Sequence, residues 1–178
     1  RAIDYAVKNG AHVLNFSFVG SQNDPLLSEA IAYAYRSGLS AVAAAGNDGV
    51  LSILIGGDLD FSPSYPVCND GGGNENFVIG VAAVSDEDAR SEFSNYGFRC
   101  IDIAAPGENI MSTQVHEPGQ GGEYVYRYRN GWDGTSMAAP QVTGAVMLLR
   151  SISKTFTNEE ILSLLKSTAD PIDQVNPF

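Results

Sequence analysis

Three short apolar runs, HVLNFSFV from His12 to Val19, LSAVAAA from Leu39 to Ala45 and NFVIGVAAV from Asn76 to Val84, constrain the fold of this chain more than any other feature. Each is rich in β-branched, aromatic or small apolar residues and is bounded by Gly, Pro, Asn or Asp, which predicts strands buried on both faces. Between the first two lies GSQNDP, a loop with Asp24 as N-cap and Pro25 at the first helical position. The spacing of Leu27, Ala30, Ile31 and Ala34 then predicts a helix from Pro25 to about Ser37, ended by Gly38. An earlier helix, RAIDYAVKNG, places Ile3, Ala6 and Val7 on one face and stops at Asn9-Gly10. Helix, strand, helix, strand is the rhythm of crossovers in a parallel sheet, so the predicted class is α/β.

Beyond the second strand, Gly46 to Asn76 is a long irregular stretch rich in Gly, Asp, Pro and Ser, and a loop of that length in a compact domain is usually functional. RCIDIAAP predicts a shorter fourth strand and EYVYRYRNG a hairpin arm. A helix is expected from Thr135 or Ser136 to about Ser151, with GAVMLL too apolar to lie outside the core. The last helix opens on a capping box, Thr157 to Glu160, and is expected to bury Ile161, Leu164 and Leu165.

With 178 residues, 44% of them hydrophobic, one domain with a substantial core is expected. No apolar stretch reaches about 18 residues and RAIDYAVKNG lacks the apolar run of a signal peptide, so neither a membrane span nor a leader is expected within the chain. A net charge of −11 and the absence of a basic cluster oppose binding to nucleic acid or to an anionic membrane. Cys68 and Cys100 match no zinc spacing and no CxxC motif, which leaves a disulfide and two buried thiols as alternatives. Asn15-Phe16-Ser17 fits a glycosylation sequon, but its place in an apolar run argues against use. No GK[ST] follows the glycines from Gly119 to Gly122, so they form no phosphate loop.

Chemistry enters with GTSMAAP, residues 134–140. Ser136 stands at the start of a helix, where free backbone N–H groups and the positive end of the dipole would stabilise an oxyanion. Pro140 is tolerated in the first turn. The plainer reading makes Ser136 or Thr135 an ordinary N-cap. The second feature is AAAGNDG, residues 43–49, where a strand ends in Gly46-Asn47 at the carboxyl edge of the sheet, the place where sites of open α/β folds lie. The Asn47 amide is suited to donate to an oxyanion, and the plainer reading of Asn47-Asp48-Gly49 is turn chemistry.

Taken together, GTSMAAPQVTGAVMLL resembles the serine motif of the subtilisin-like serine proteases, the subtilases, and AAAGNDG resembles their oxyanion-asparagine motif. HVLNFSF, SPSYP, NFVIGVAAV and SEFSNYGFRCIDIAAPGENIMST follow in the family's order, so the similarity runs from Arg1 to about Pro171. The resemblance implies a three-layer fold with a mostly parallel sheet, incomplete at its amino-terminal side, and a secreted or extracytoplasmic endopeptidase. It makes Ser136 the nucleophile and Asn47 an oxyanion donor, a role for which a subtilisin is a standard worked case. Ser17, Phe18, Val19 and Gly20 match the strand that pairs with extended polypeptide substrate and walls the primary specificity pocket. Ala44, Ala45 and Gly46 match the opposite wall. Cys68 and Cys100 fall in segments that are neighbours in the family fold, which implies a disulfide.

The sequence departs from the family in informative places. Val19 replaces a usual glycine, which puts a preference for large first-site side chains in question. Gln141 stands where a histidine often follows the motif's proline. Asp102 matches a residue near a weak cation site of some relatives, but Cys100 replaces one oxygen ligand; structural calcium belongs to the family, and no metal is assigned here. Most importantly, the family's DTG-like and HGTH-like motifs, which carry its catalytic aspartate and histidine, do not occur. His12 opens a strand and His116 lies in the loop VHEPGQGGEY, and neither is expected to act as the base. The chain is therefore expected to be inactive alone, with strand 12–18 an open edge that the missing amino-terminal part or another chain covers. A non-catalytic peptide-binding scaffold is the alternative.

Overall fold

The computed structural model describes residues 1–49, 57–71 and 75–176. Parts of the predicted long loop, 50–56 and 72–74, lie outside the described residues. Four parallel strands form one sheet in chain order: β1 (Val13–Phe16), β2 (Ser40–Ala44), β3 (Val78–Val84) and β4 (Ile103–Pro106). The predicted α/β architecture is therefore present. β1 lies at one margin of the sheet, paired on one side with β2.

Two cores flank the sheet because successive side chains of a strand face opposite ways. Val42 and Ala44 of β2 and Ile79, Val81 and Ala83 of β3 pack with Ala138, Val142 and Val146 of α3 (Thr135–Ile152) and with Ile161 and Leu165 of α4 (Asn158–Thr168). On the other face, Phe16, Ala41, Ala43, Ala45 and Val78 meet Ile31 of α2 (Pro25–Arg36). The short α1 (Ala2–Lys8) lies against α2, with Ile3, Ala6 and Val7 half-buried as the spacing predicts. Asp24 caps α2 by accepting from the Leu26 N–H, and both hydrogen bonds of the Thr157–Glu160 capping box form on α4. Buried Arg150 fastens the end of α3, donating to the Gly38 carbonyl, Ser40 Oγ and Asn158 Oδ1.

Cys68 and Cys100 form the disulfide that the resemblance implies, and it ties the segment after β2 to the segment before β4. Gly80 of β3 is obligatory beside it, since a Cβ there would lie 1.8 Å from the Cys100 carbonyl oxygen.

Several boundaries differ from the sequence reading. β1 ends at Phe16 rather than running to Val19, because residue 17 leaves the sheet to meet α3. Asn15 is consequently exposed at the margin, its side chain held by Thr143 Oγ1 and donating to Ser17 Oγ. β4 is confined to 103–106. The expected hairpin arm is a 3-10 turn over Gly122–Val125 followed by β6 (Tyr128–Trp132), whose antiparallel partner is β5 (Ile110–Thr113). Nor is GAVMLL wholly internal: Val146 is fully buried, but Met147 and Leu148 are 48% and 68% exposed. A helix lying on a sheet buries one stripe, and these two residues fall outside it. Leu164 is half-buried, with Ile161 and Leu165 forming the inner face of α4.

Candidate active site

α3 brings Ser136 to the carboxyl end of the sheet. Its N-cap is Gly134, at φ 141°, a backbone state that suits glycine, and no side chain caps the helix. This excludes the plainer reading in which Thr135 or Ser136 is the cap. Ser136 instead lies within the first turn, half-buried, and among the described residues its backbone N–H has no hydrogen-bond partner. Such an orphan donor is what a helix start offers an oxyanion.

Thr135 uses its polar atoms to orient Asn47. The Thr135 N–H and its Oγ1 hydroxyl both donate to Asn47 Oδ1, at 3.0 and 2.9 Å, while Oγ1 accepts from the Gly46 N–H at 3.1 Å. With Oδ1 doubly engaged, the Asn47 side chain presents its Nδ2 donor, which lies near Gly134. Asn47 is itself exposed.

Ser17 and Ser136 exchange two long-range hydrogen bonds. Ser136 Oγ donates to the Ser17 carbonyl, and Ser17 Oγ donates to the Ser136 carbonyl, both at 2.9 Å. Neither histidine is a hydrogen-bond partner of the nucleophile candidate: His12 is exposed just before β1 and His116 is exposed in the loop after β5.

A cavity of about 180 Å³ opens beside the serine. Phe18 and Val19 form one wall, Ala44 and Gly46 the other, with Asn47, Asp48, Thr135 and Ser136 completing the lining. Of the other residues anticipated at this site, Ala45 is fully buried and belongs to the core facing α2, while Ser17, bonded to Ser136, and Gly20, bridged to Tyr65, do not line the cavity. Gly20 forms an antiparallel bridge with Tyr65, leaving the backbone from 17 to 19 outside any strand.

Two contributors were missed at the sequence level. Thr135 was read only as a cap. Asn95, 1% exposed, donates from Nδ2 to the Ala45 carbonyl and to Asp48 Oδ2 and accepts from the Asp48 N–H. No local pattern marks Asn95, because its partners lie far away in sequence. Gly46 is fixed by this contact as well: at φ +106°, a Cβ would lie 2.5 Å from Asn95 Nδ2.

At the cation position suggested by Asp102, the described residues supply their own partners to the carboxylate. The Asp102 carboxylate accepts from the Gly80 N–H, from Asn76 Nδ2 and from Lys166 Nζ at 3.3 Å, so a lysine already supplies the positive charge. Among the described residues no group of three or more His, Cys, Asp or Glu side chains is arranged to hold a metal ion. Nor is any described helix long and apolar enough to cross a membrane.

Comparison with known proteins identifies the family and the fold. The family model "Peptidase_S8: Subtilase family" matches residues 1–177. The chain is 37% identical over 178 residues to the "Thermophilic serine proteinase" of Bacillus sp. (strain AK1), covering 99% of this chain and 37% of that protein. It is 34% identical over 176 residues to "Thermitase" of Thermoactinomyces vulgaris, covering 99% of this chain and 53% of that protein. A solved cold-adapted subtilisin-like serine proteinase superposes with a TM-score of 0.73 at 30% identity, over 94% of this chain and 52% of that one. The chain thus spans about half or less of these relatives. On the match over 1–177 and the shared fold, the chain belongs to the subtilase family.

Proposed function

We propose that this chain is the nucleophile and oxyanion portion of a secreted serine endopeptidase. With a base supplied from outside this chain taking its proton, Ser136 Oγ attacks a peptide carbonyl, the tetrahedral oxyanion lies between Asn47 Nδ2 and the Ser136 N–H, and collapse returns that proton to the departing amine and leaves an acyl-enzyme that water hydrolyses. The observation that carries this reading is the doubly held Asn47 Oδ1, since a turn asparagine has no need of two donors from the residue preceding a helical serine. The backbone at 17–19, outside any strand, is suited to an extended polypeptide.

The same geometry supports an inactive resting state. The Ser136 hydroxyl donates its hydrogen bond to the Ser17 carbonyl, and an amide oxygen holds a proton donor without being basic enough to take the proton. The aspartate and histidine of the triad therefore come from outside this chain, carried by an amino-terminal part or another polypeptide that pairs with β1, Val13–Phe16. A peptide-binding scaffold is the second reading, and the Ser136–Ser17 hydrogen bond favours it over activity for the chain alone. A fluorophosphonate probe separates the two. The isolated chain is expected to remain unlabelled, and a chain completed by a segment carrying both residues is expected to be labelled at Ser136 and lose label in Ser136→Ala. Failure of the completed protein to label overturns the protease reading; rapid labelling of the isolated chain overturns the expected inactivity.

A further inference from the structure

We propose that Asn95 is the positioning residue of the oxyanion donor: it grips the chain on both sides of Asn47 and so sets where the Asn47 amide stands. The inference rests on the role given to Asn47 above.

The grip consists of bonds that skip one residue. The Asn95 N–H donates to the Gly46 carbonyl at 2.9 Å, and its Nδ2 donates to the Ala45 carbonyl at 3.1 Å and to Asp48 Oδ2 at 2.9 Å. Asn95 Oδ1 accepts from the Asp48 N–H at 2.7 Å, and the Gly49 N–H donates to the Phe93 carbonyl at 3.0 Å. Residues 45, 46, 48 and 49 are therefore all fastened to 93–95. Among the described residues, Asn47 makes no hydrogen bond to that segment, and its side chain turns instead to Thr135. A primary amide carries two N–H donors and one carbonyl acceptor, and Asn95 uses all three on this loop. A carboxylate in its place has no proton to donate, and an apolar side chain makes none of these bonds.

The gripping segment is itself held by the sheet. Ser94 is fully buried, and its Oγ accepts from the Ala83 N–H of β3 at 2.9 Å and donates to the Asn95 carbonyl at 3.0 Å. The Ser91 N–H donates to the Ala83 carbonyl at 2.9 Å. The Asn95 amide is enclosed as well, since a Cβ at Gly57 would lie 2.9 Å from its Oδ1. Asn47, by contrast, is exposed beyond the end of β2, where nothing but its two neighbours and Thr135 fixes it. An oxyanion donor works only if it is in place before the charge develops, and a misplacement of about 1 Å costs about 100-fold. Asn95 does not line the cavity beside Ser136, so it acts through Asn47 rather than on the reacting atoms.

Two measurements test this. In the isotope-labelled full chain, the Thr135 N–H reports on Asn47, because it donates to Asn47 Oδ1. Asn95→Ala is expected to speed amide exchange at Thr135 at least about tenfold while the amides of β3 keep their protection. Unchanged exchange at Thr135 overturns the proposal. Should Asn95→Ala lose protection throughout, Asp48→Ala decides, since it removes one bond of the grip at an exposed residue: Thr135 alone is expected to exchange faster, and an unchanged Thr135 overturns the proposal. In the completed protein of the labelling experiment, Asn95→Ala is expected to lower kcat about 10- to 100-fold with KM unchanged, and to cost less than about twofold more in an Asn47→Ala background. A residue with a merely structural role costs the same in both backgrounds, and that result overturns the proposal. If Asn47→Ala keeps full kcat, the oxyanion reading fails and takes the proposal with it; if Asn47→Ala is costly and the two losses add, the positioning role alone fails. A completed protein without turnover overturns the protease reading and leaves Asn95 to the exchange measurement.

Discussion

Asp70 illustrates how one side chain sets a pH dependence. Burial pushes its carboxyl up to about 6, against the opposing pull of the Val78 and Phe77 N–H groups it accepts from, with nearby Asp102 adding to the rise. A carboxyl whose pKa is higher folded than unfolded binds protons preferentially in the native state, so its contribution to stability is greatest in acid and is lost as pH rises from about 4 to about 6. Asp70→Asn keeps an acceptor for both N–H groups and removes the titration. Thermal melts between pH 4 and 7 are expected to show this component of the decline in the parent and its absence in the variant. Single residues also mark the limit of what the sequence discloses. Ser136 and Asn47 were legible because each sits at the end of a regular element where geometry concentrates chemistry. Thr135 was misread as a cap, and Asn95 and Asp48 went unrecognised, because their roles consist of hydrogen bonds to partners distant in the chain. The neighbours of a side chain at long sequence separation exist only after the sheet has formed.

Elements were more legible than their ends. β2 and β3 are buried along their whole length, so continuous apolar runs identify them. The end of β1 was overestimated because Ser17 and Phe18 continue the apolar pattern while the backbone turns toward Ser136. β5 went unseen since IMST has one half-buried residue followed by three exposed ones, a pattern without alternation. The disulfide acts at this scale, joining elements across a sequence separation of 32. Closing a loop of that length is worth about 3–4 kcal/mol on the chain-entropy model. Reduction under native conditions, or Cys68→Ala with Cys100→Ala, is expected to lower stability by an amount of that order in urea unfolding. An unchanged midpoint would show that the segments around β3 hold together without the link.

For the whole molecule, chain order and sheet order coincide, so the described sheet ends in β4 at one margin and in β1, beside the candidate nucleophile, at the other. Among the described residues β1 pairs on one side only, and Met147, Leu148 and Ile152 of α3 are exposed apolar surface elsewhere on the molecule's exterior, with Ile152 77% exposed. Edge strands and apolar patches of this kind promote association. Sedimentation velocity of the purified chain is therefore expected to show concentration-dependent self-association, with slowed amide exchange at 13–16 as it proceeds. A monomer with freely exchanging amides there counts against an adhesive edge. The end of β1 lies one residue from Ser17, whose carbonyl restrains the nucleophile's hydroxyl. The margin and the reactive oxygen are thus joined through a single peptide unit and a single hydrogen bond. A partner strand drawing on Val13–Phe16 pulls on the tether of Ser136, making the nucleophile a local reporter of whether the sheet is whole.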